Sequence, residues 1–268
     1  MTMMRAPDLL DRRALALLAL RDAFGRPVTS PVVVRAAGVR AVAKKDGTIA
    51  VIAAPGFAAY CSAFEAPPAS PAVGSASIAL EILPLDPCLQ ARRYSLKLPR
   101  DPDPAKRDQP SSLFAPVVVK LLATALQGRD ALAGIVRARV HRKADGALVG
   151  GALVRVRSND GKFEAAGVTD RAGEATLVIP DLPLAFAGSG GKMNATLAAK
   201  AIATVKPASA VFTSPDIWAS AGGAAARAAG PFDPDELAAG PAPSFAGGTA
   251  LDLSAGSESR LDLEWKQP

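Results

Sequence analysis

From Leu132 to Pro180 the chain repeats one arrangement: a short run in which apolar and polar residues alternate, then a tight turn containing glycine. Leu132–His141 alternates, Lys143-Ala-Asp-Gly146 turns the chain, and Val154 and Val156 then alternate with Arg155 and Arg157. Asn159-Asp160-Gly161 and Asp170-Arg-Ala-Gly173 supply two more turns, beside segments at Phe163–Thr169 and Glu174–Ile179. Successive side chains of a strand point to opposite faces, so a period of two marks half-buried strands and argues against the 3.6-residue period of a helix. Several short strands joined by Asp/Asn-Gly turns commit a chain to an antiparallel, all-β fold.

The same signals extend to either side. Leu15–Arg21 reads as a strand with Leu15, Leu17 and Ala19 on one face, and Val32–Ala36 as a β-branched strand opened by Pro31. Val39–Lys44 and Thr48–Ala53 form a hairpin across Asp46-Gly47, a pair that suits a type I′ turn. Phe57–Phe64 is expected as a strand, Ala76–Leu83 as another with Ile78, Leu80 and Ile82 on one face, and Arg92–Leu98 as the next. Pro99–Pro116 is rich in proline and charge and reads as a linker. Beyond it come strands at Val117–Ala125, Asn194–Val205, Ala250–Leu253 and Arg260–Trp265. The expected layout is an arm (1–13), a β-sandwich domain (14–98), the linker (99–116) and a second β-sandwich domain (117–268) interrupted by a long irregular insertion (206–248).

Composition agrees with turns and a small-residue core. The 268 residues include 23 glycines and 23 prolines; hydrophobic residues make up 49%, aromatics only 5%. Valine, leucine, isoleucine and alanine must therefore fill the interior. The net charge is +6, yet residues 206–268 hold eight acidic and four basic side chains, so the positive excess lies in the first 205 residues. A basic body with an acidic end suits charge-matched docking of protein subunits. No Lys/Arg block with interleaved aromatics favours nucleic acid. No stretch approaches the ~20 apolar residues of a membrane span, and Ala14–Leu20 is too short and wrongly flanked for an export signal. The expectation is a protein made in the cytoplasm, with Cys61 and Cys88 as small buried hydrophobes.

Gly146-Ala-Leu-Val-Gly-Gly-Ala152-Leu-Val-Arg-Val156, followed by Val168-Thr169-Asp170-Arg-Ala-Gly173-Glu-Ala-Thr-Leu177, resembles the carboxypeptidase regulatory-like (transthyretin-like) β-sandwich family. That resemblance covers roughly residues 130–182 and implies an immunoglobulin/transthyretin-like sandwich there, while saying little about function. With the short-strand pattern of 14–98, the expected fold is two tandem immunoglobulin/transthyretin-like β-sandwich domains. Leu83–Asp101 with the linker and sandwich after it is similar to accessory proteins of contractile phage tails and tail-like injection systems. The implied role is a non-enzymatic structural or adaptor subunit acting through protein–protein contacts with other subunits of a larger assembly or, as a homo-oligomer, with copies of itself, a component of an assembled particle released by lysis. An extracellular or cell-surface carbohydrate- or protein-binding β-sandwich module is the alternative; an accessory domain of an enzyme complex is a third reading.

No catalytic, cofactor-binding or metal-binding set emerges. His141 is the only histidine and sits beside Arg142 and Lys143, which fits an exposed surface position. Asp101-Pro-Asp103 and Asp233-Pro-Asp235-Glu236 lack the glycine and spacing of a calcium loop, and Gly188–Lys192 lacks the spacing of a phosphate loop. The residues expected to touch a partner subunit are Phe212, Ile217, Trp218, Phe232, Leu237 and Phe245, large anchors among small residues within 206–248. The competing account of that segment is a loop folded back over its own sandwich.

Overall fold

The computed structural model describes residues 14–62, 68–128, 132–183, 196–207, 210–213, 231–239 and 244–266. It is all-β. The strands run β1 (Ala16–Arg21), β2 (Val32–Arg35), β3 (Arg40–Ala43), β4 (Thr48–Ala53), β5 (Ala76–Pro84), β6 (Arg92–Leu98), β7 (Val117–Lys120) and β8 (Gly134–Arg142). They continue as β9 (Leu148–Gly150), β10 (Leu153–Ser158), β11 (Glu164–Val168), β12 (Glu174–Ile179), β13 (Leu197–Thr204), β14 (Val211–Thr213), β15 (Thr249–Leu253) and β16 (Glu258–Trp265). Among the described residues two five-residue helices are present, α1 (Ala58–Ser62) and α2 (Pro234–Ala238).

The chain groups into two compact units, and neither is contiguous in sequence. The first holds residues 1–19, 34–80 and 95–119; the second holds 20–33, 81–94 and 120–268.

In the first unit, the sheet of order β3-β4-β1-β7 buries Ala16, Leu18, Ile49, Val51 and Val119. The buried face of β1 is Ala16, Leu18 and Leu20, not the expected Leu15, Leu17 and Ala19 set. Every residue from Ala14 to Leu20 is apolar, so periodicity there could not choose the face. The β3–β4 hairpin is in place, but its loop holds three residues: Lys44 N–H donates to the Thr48 carbonyl and Gly47 N–H to that of Lys44. Gly47 has a φ of 79°, and Asp46 Oδ1 accepts from the Thr48 amide and hydroxyl. That is the three-residue form with glycine in the left-handed position rather than type I′. Phe57–Phe64, expected as a strand, contains α1 instead. Phe57 is buried, 3% exposed, with its ring 5.8 Å from that of Tyr60.

Pro99–Pro116 folds on itself. Arg100 Nη2 donates to the carbonyls of Ser112 (2.9 Å) and Ala115 (3.3 Å), and Asp101 N–H and Leu113 N–H exchange bonds across the loop with Ser111 and Asp101. Lys106 Nζ lies 2.9 Å from Asp101 Oδ2, and Asp103 caps a 3-10 turn at Pro104–Lys106. A carboxylate in a loop is thus committed to its own backbone and a lysine.

The second unit is a sandwich of two sheets over one core. One sheet has the order β11-β10-β13-β15; the other has the order β12-β8-β9-β14, with β16 pairing in parallel to β8. Val136 and Val140 of β8, Val154 and Val156 of β10, Leu177 of β12, Ala199 and Ala201 of β13, Leu253 and Leu263 share that core. Register explains how a chain poor in aromatics fills it. Val154 pairs with Gly167 on one side and Ala203 on the other, and Val156 with Ala165 and Ala201. Each branched side chain therefore stands between small ones. Asn194–Val205, expected as a strand, contains β13.

Candidate functional site

The turn Thr169–Gly173 is built by two side chains. Thr169, fully buried, donates its hydroxyl to the Val149 carbonyl (2.6 Å) and accepts from Ala152 N–H (2.8 Å). Asp170 Oδ1 accepts from Ala172 N–H (2.8 Å) and Glu174 N–H (3.1 Å), the backbone capping a Thr-Asp-x-x-Gly turn requires. Gly151 sits opposite at a φ of 79°, and a Cβ there would lie 2.6 Å from the Phe232 ring. Glycine is needed at that position both for the backbone and for the ring that covers it.

Phe232 is held by the segment 231–239. Arg93 N–H donates to the Phe232 carbonyl (2.8 Å), and Leu237 packs with Leu122, Leu153 and Val168. Arg92, only 3% exposed, fastens the segment: its Nη2 lies 2.7 Å from Asp235 Oδ2 and 3.5 Å from Asp233 Oδ1. Its Nη1 donates to the Lys120 carbonyl (2.7 Å) and its Nε to that of Arg93 (3.3 Å). Asp233 is itself buried and caps α2, accepting from Asp235 N–H and Glu236 N–H. The Asp233-Pro-Asp235 carboxylates are thus engaged by an arginine and a helix end. A cation and carboxylate taken out of water need this many partners to break even.

Between this segment, the Thr169–Gly173 turn and the stretches 87–91 and 123–126 lies a groove of about 380 Å³. Its floor is apolar, with Leu89, Ala91, Ala123, Val168 and Phe232; Gln90, Thr124, Arg171, Glu174 and Thr176 stand around it. The carboxylates on its rim have partners: Asp170 those above, and Glu174 Oε1 the Arg139 Nη2 at 2.8 Å. Two enclosed polar atoms do not. Among the described residues, neither Gln90 Oε1 nor Arg171 Nε has a hydrogen-bond partner. Gln90 cannot simply flip, because its Nε2 donates to the Val168 carbonyl (3.3 Å) and the other orientation would set two oxygens together.

The residues expected to meet a partner are scattered. Phe232 and Leu237 come together on the chain's own core, Leu237 being 6% exposed. Phe212 lies on β14, 37% exposed, with its ring 5.8 Å from that of Trp265 and the Arg142 guanidinium 4.5 Å above it. Phe245 is half-buried in a 3-10 turn, and Ile217 and Trp218 lie outside the described residues. The described parts of 206–248 include β14, which pairs with β9, and α2, so this stretch is not wholly irregular.

His141 is half-buried, its Nε2 3.9 Å from Glu264 Oε1, rather than exposed. Cys61 and Cys88 are free and half-buried rather than core residues, and burial pushes both thiols up. Gln90, Arg92 and Arg171 were not anticipated. Arg92 had a signal, since it shares the face of Leu96 and Leu98 on β6, where a charge implies a buried partner. Arg171 occupies an unconstrained position of its turn and carried none.

No family model matches the chain, and no curated protein matches it. Among solved structures it is similar to BcpA, the major pilin subunit of Bacillus cereus, at 12% identity and a TM-score of 0.25. The match covers 95% of this chain and 59% of the pilin. It is also similar to the Bacillus anthracis TIE protein at 10% identity and a TM-score of 0.21, over 95% of this chain and 34% of that one. The chain thus spans less than two thirds of either protein, 59% of the one and 34% of the other.

Proposed function

We propose that the chain is a non-enzymatic structural or adaptor subunit of a phage-tail-like contractile particle or injection system. In this reading it is built as two tandem immunoglobulin/transthyretin-like sandwiches and acts through protein–protein contacts. One observation carries the proposal: both terminal strands of the sheet β3-β4-β1-β7 bear an exposed valine, Val42 on β3 (49% exposed) and Val118 on β7 (63%). A terminal strand offers main-chain donors and acceptors to another chain, and an outward valine gives that pairing an apolar contact. Phe114, four residues before Val118, is exposed as well. Arg40, Lys44 and Lys45 flank Val42, and Lys120 closes β7, all exposed. Like charges oppose the pairing of these edges with each other and favour an acidic strand of a different subunit.

Velocity sedimentation of extract from cells that make the protein tests this. The expected result is a chain that travels with particles far larger than its own 27.3 kDa. A chain sedimenting at that mass throughout growth contradicts it. A second reading, a carbohydrate- or protein-binding module, draws its support from the groove beside Phe232.

A further inference from the structure

We infer that the groove of the second unit binds the carboxyl-terminal end of an apolar peptide, with Arg171 receiving the carboxylate and Gln90 the amide N–H of the last residue. This rests on the groove alone and stands or falls apart from the particle reading.

Native chains pair nearly all enclosed polar atoms, and each exception calls for a reason. Here two exceptions line one groove and have opposite needs: Arg171 Nε is a donor without an acceptor, and Gln90 Oε1 is an acceptor without a donor. A guanidinium keeps its charge at any ordinary pH and has no acceptor capacity, so what completes it is an oxygen anion or a carbonyl. The rim cannot supply one at no cost, since Glu174 is bonded to Arg139 and Asp170 to its own turn. The remaining need, a hydrogen-bond donor for Gln90 Oε1, excludes inorganic anions that carry no proton as the complete ligand. The floor of Leu89, Ala91, Val168 and Phe232 excludes a wholly polar one.

A peptide's last residue offers all three features within one unit: a carboxylate, an amide N–H and an apolar side chain. A volume of about 380 Å³ is at the small end for a ligand cleft and suits one or two residues rather than a long segment. Turning the two side chains into the groove gives each its bond. Gln90 gives up the 3.3 Å bond from its Nε2 to the Val168 carbonyl in that turn, and a peptide end, which brings an N–H and carboxylate oxygens together, replaces it. Planar bidentate geometry makes arginine more selective for carboxylate than lysine.

The test titrates the full chain with acetyl-Leu-Val-Leu bearing a free carboxylate, with the same peptide amidated, and with acetyl-leucine, following heteronuclear amide shifts. The free acid is expected to bind at least tenfold more tightly than the amide, with shifts at residues 87–91 and 168–176. Arg171→Gln is expected to erase the difference between acid and amide, and Arg171→Lys to retain part of it, both with unchanged melting temperature. Acetyl-leucine binding as well as the tripeptide would identify a free N-acyl amino acid as the source of the same chemistry and supports the site. Equal binding of acid and amide to the native chain overturns the inference, as does a preference that survives in Arg171→Gln. Binding of a neutral oligosaccharide with none of either peptide overturns it too.

Discussion

The Thr169 hydroxyl is enclosed and bonded in both directions, to the Val149 carbonyl and from Ala152 N–H. Replacing it by valine keeps the shape but leaves a buried amide with no acceptor. Thr169→Val should cost about 1–3 kcal/mol, whereas Thr169→Ser keeps the oxygen and should lose about 0.8 kcal/mol for one methyl. Urea midpoints at equal slope measure both. Asp145 makes a prediction in pH. The Arg142 guanidinium, bonded to it at 2.5 and 2.8 Å, and then Ala147 N–H hold its carboxyl at about 2, below its ordinary value of 3.8. A carboxyl with a lowered folded pKa contributes stability that is present above pH 3.8 and lost as pH falls towards 2. The stability gap between the native chain and Asp145→Asn should therefore be open at pH 6 and close as pH falls through 2, with wide exposure keeping it small throughout.

At the scale of elements, the segment 231–239 depends on one buried cation. Arg92→Ala leaves Asp233 enclosed with its charge uncompensated, and such losses run to about 3–5 kcal/mol. Asp235 lies closer to the guanidinium but its side chain is 67% exposed, so Asp235→Asn should cost no more than about 1 kcal/mol. Thermal unfolding with proteolysis of the folded variants separates the two; equal costs would mean that the segment is held chiefly by Leu237 and backbone bonds.

Most strands could be read from local pattern because their signals are local. β5 showed its face through Ile78, Leu80 and Ile82, and β10 through valines alternating with arginines. β1 withheld its face because all its neighbours are apolar. β9 escaped notice because three residues ending in glycine are too few to alternate, and Ala58–Ser62 was read as a strand where a five-residue helix forms. The parallel pairing of β16 with β8 joins residues 123 positions apart at Glu258 and Ile135, which no local pattern encodes. The groove was illegible for the same reason: Gln90, Arg171 and Phe232 meet only after folding.

For the whole molecule, the basic excess outside residues 206–268 and the exposed valines on β3 and β7 belong to one account, in which an acidic strand of another subunit adds to a basic edge. Single surface substitutions of this kind usually change stability by no more than about 0.5 kcal/mol, so the edges can be altered without unfolding the chain. The decisive measurement is the sedimentation of the Val42→Lys/Val118→Lys variant, made at native level in the cells that produce the protein. The account predicts a variant with an unchanged melting temperature that is missing from the large-particle fraction and recovered as free chain. A variant incorporated as fully as the native chain would contradict it.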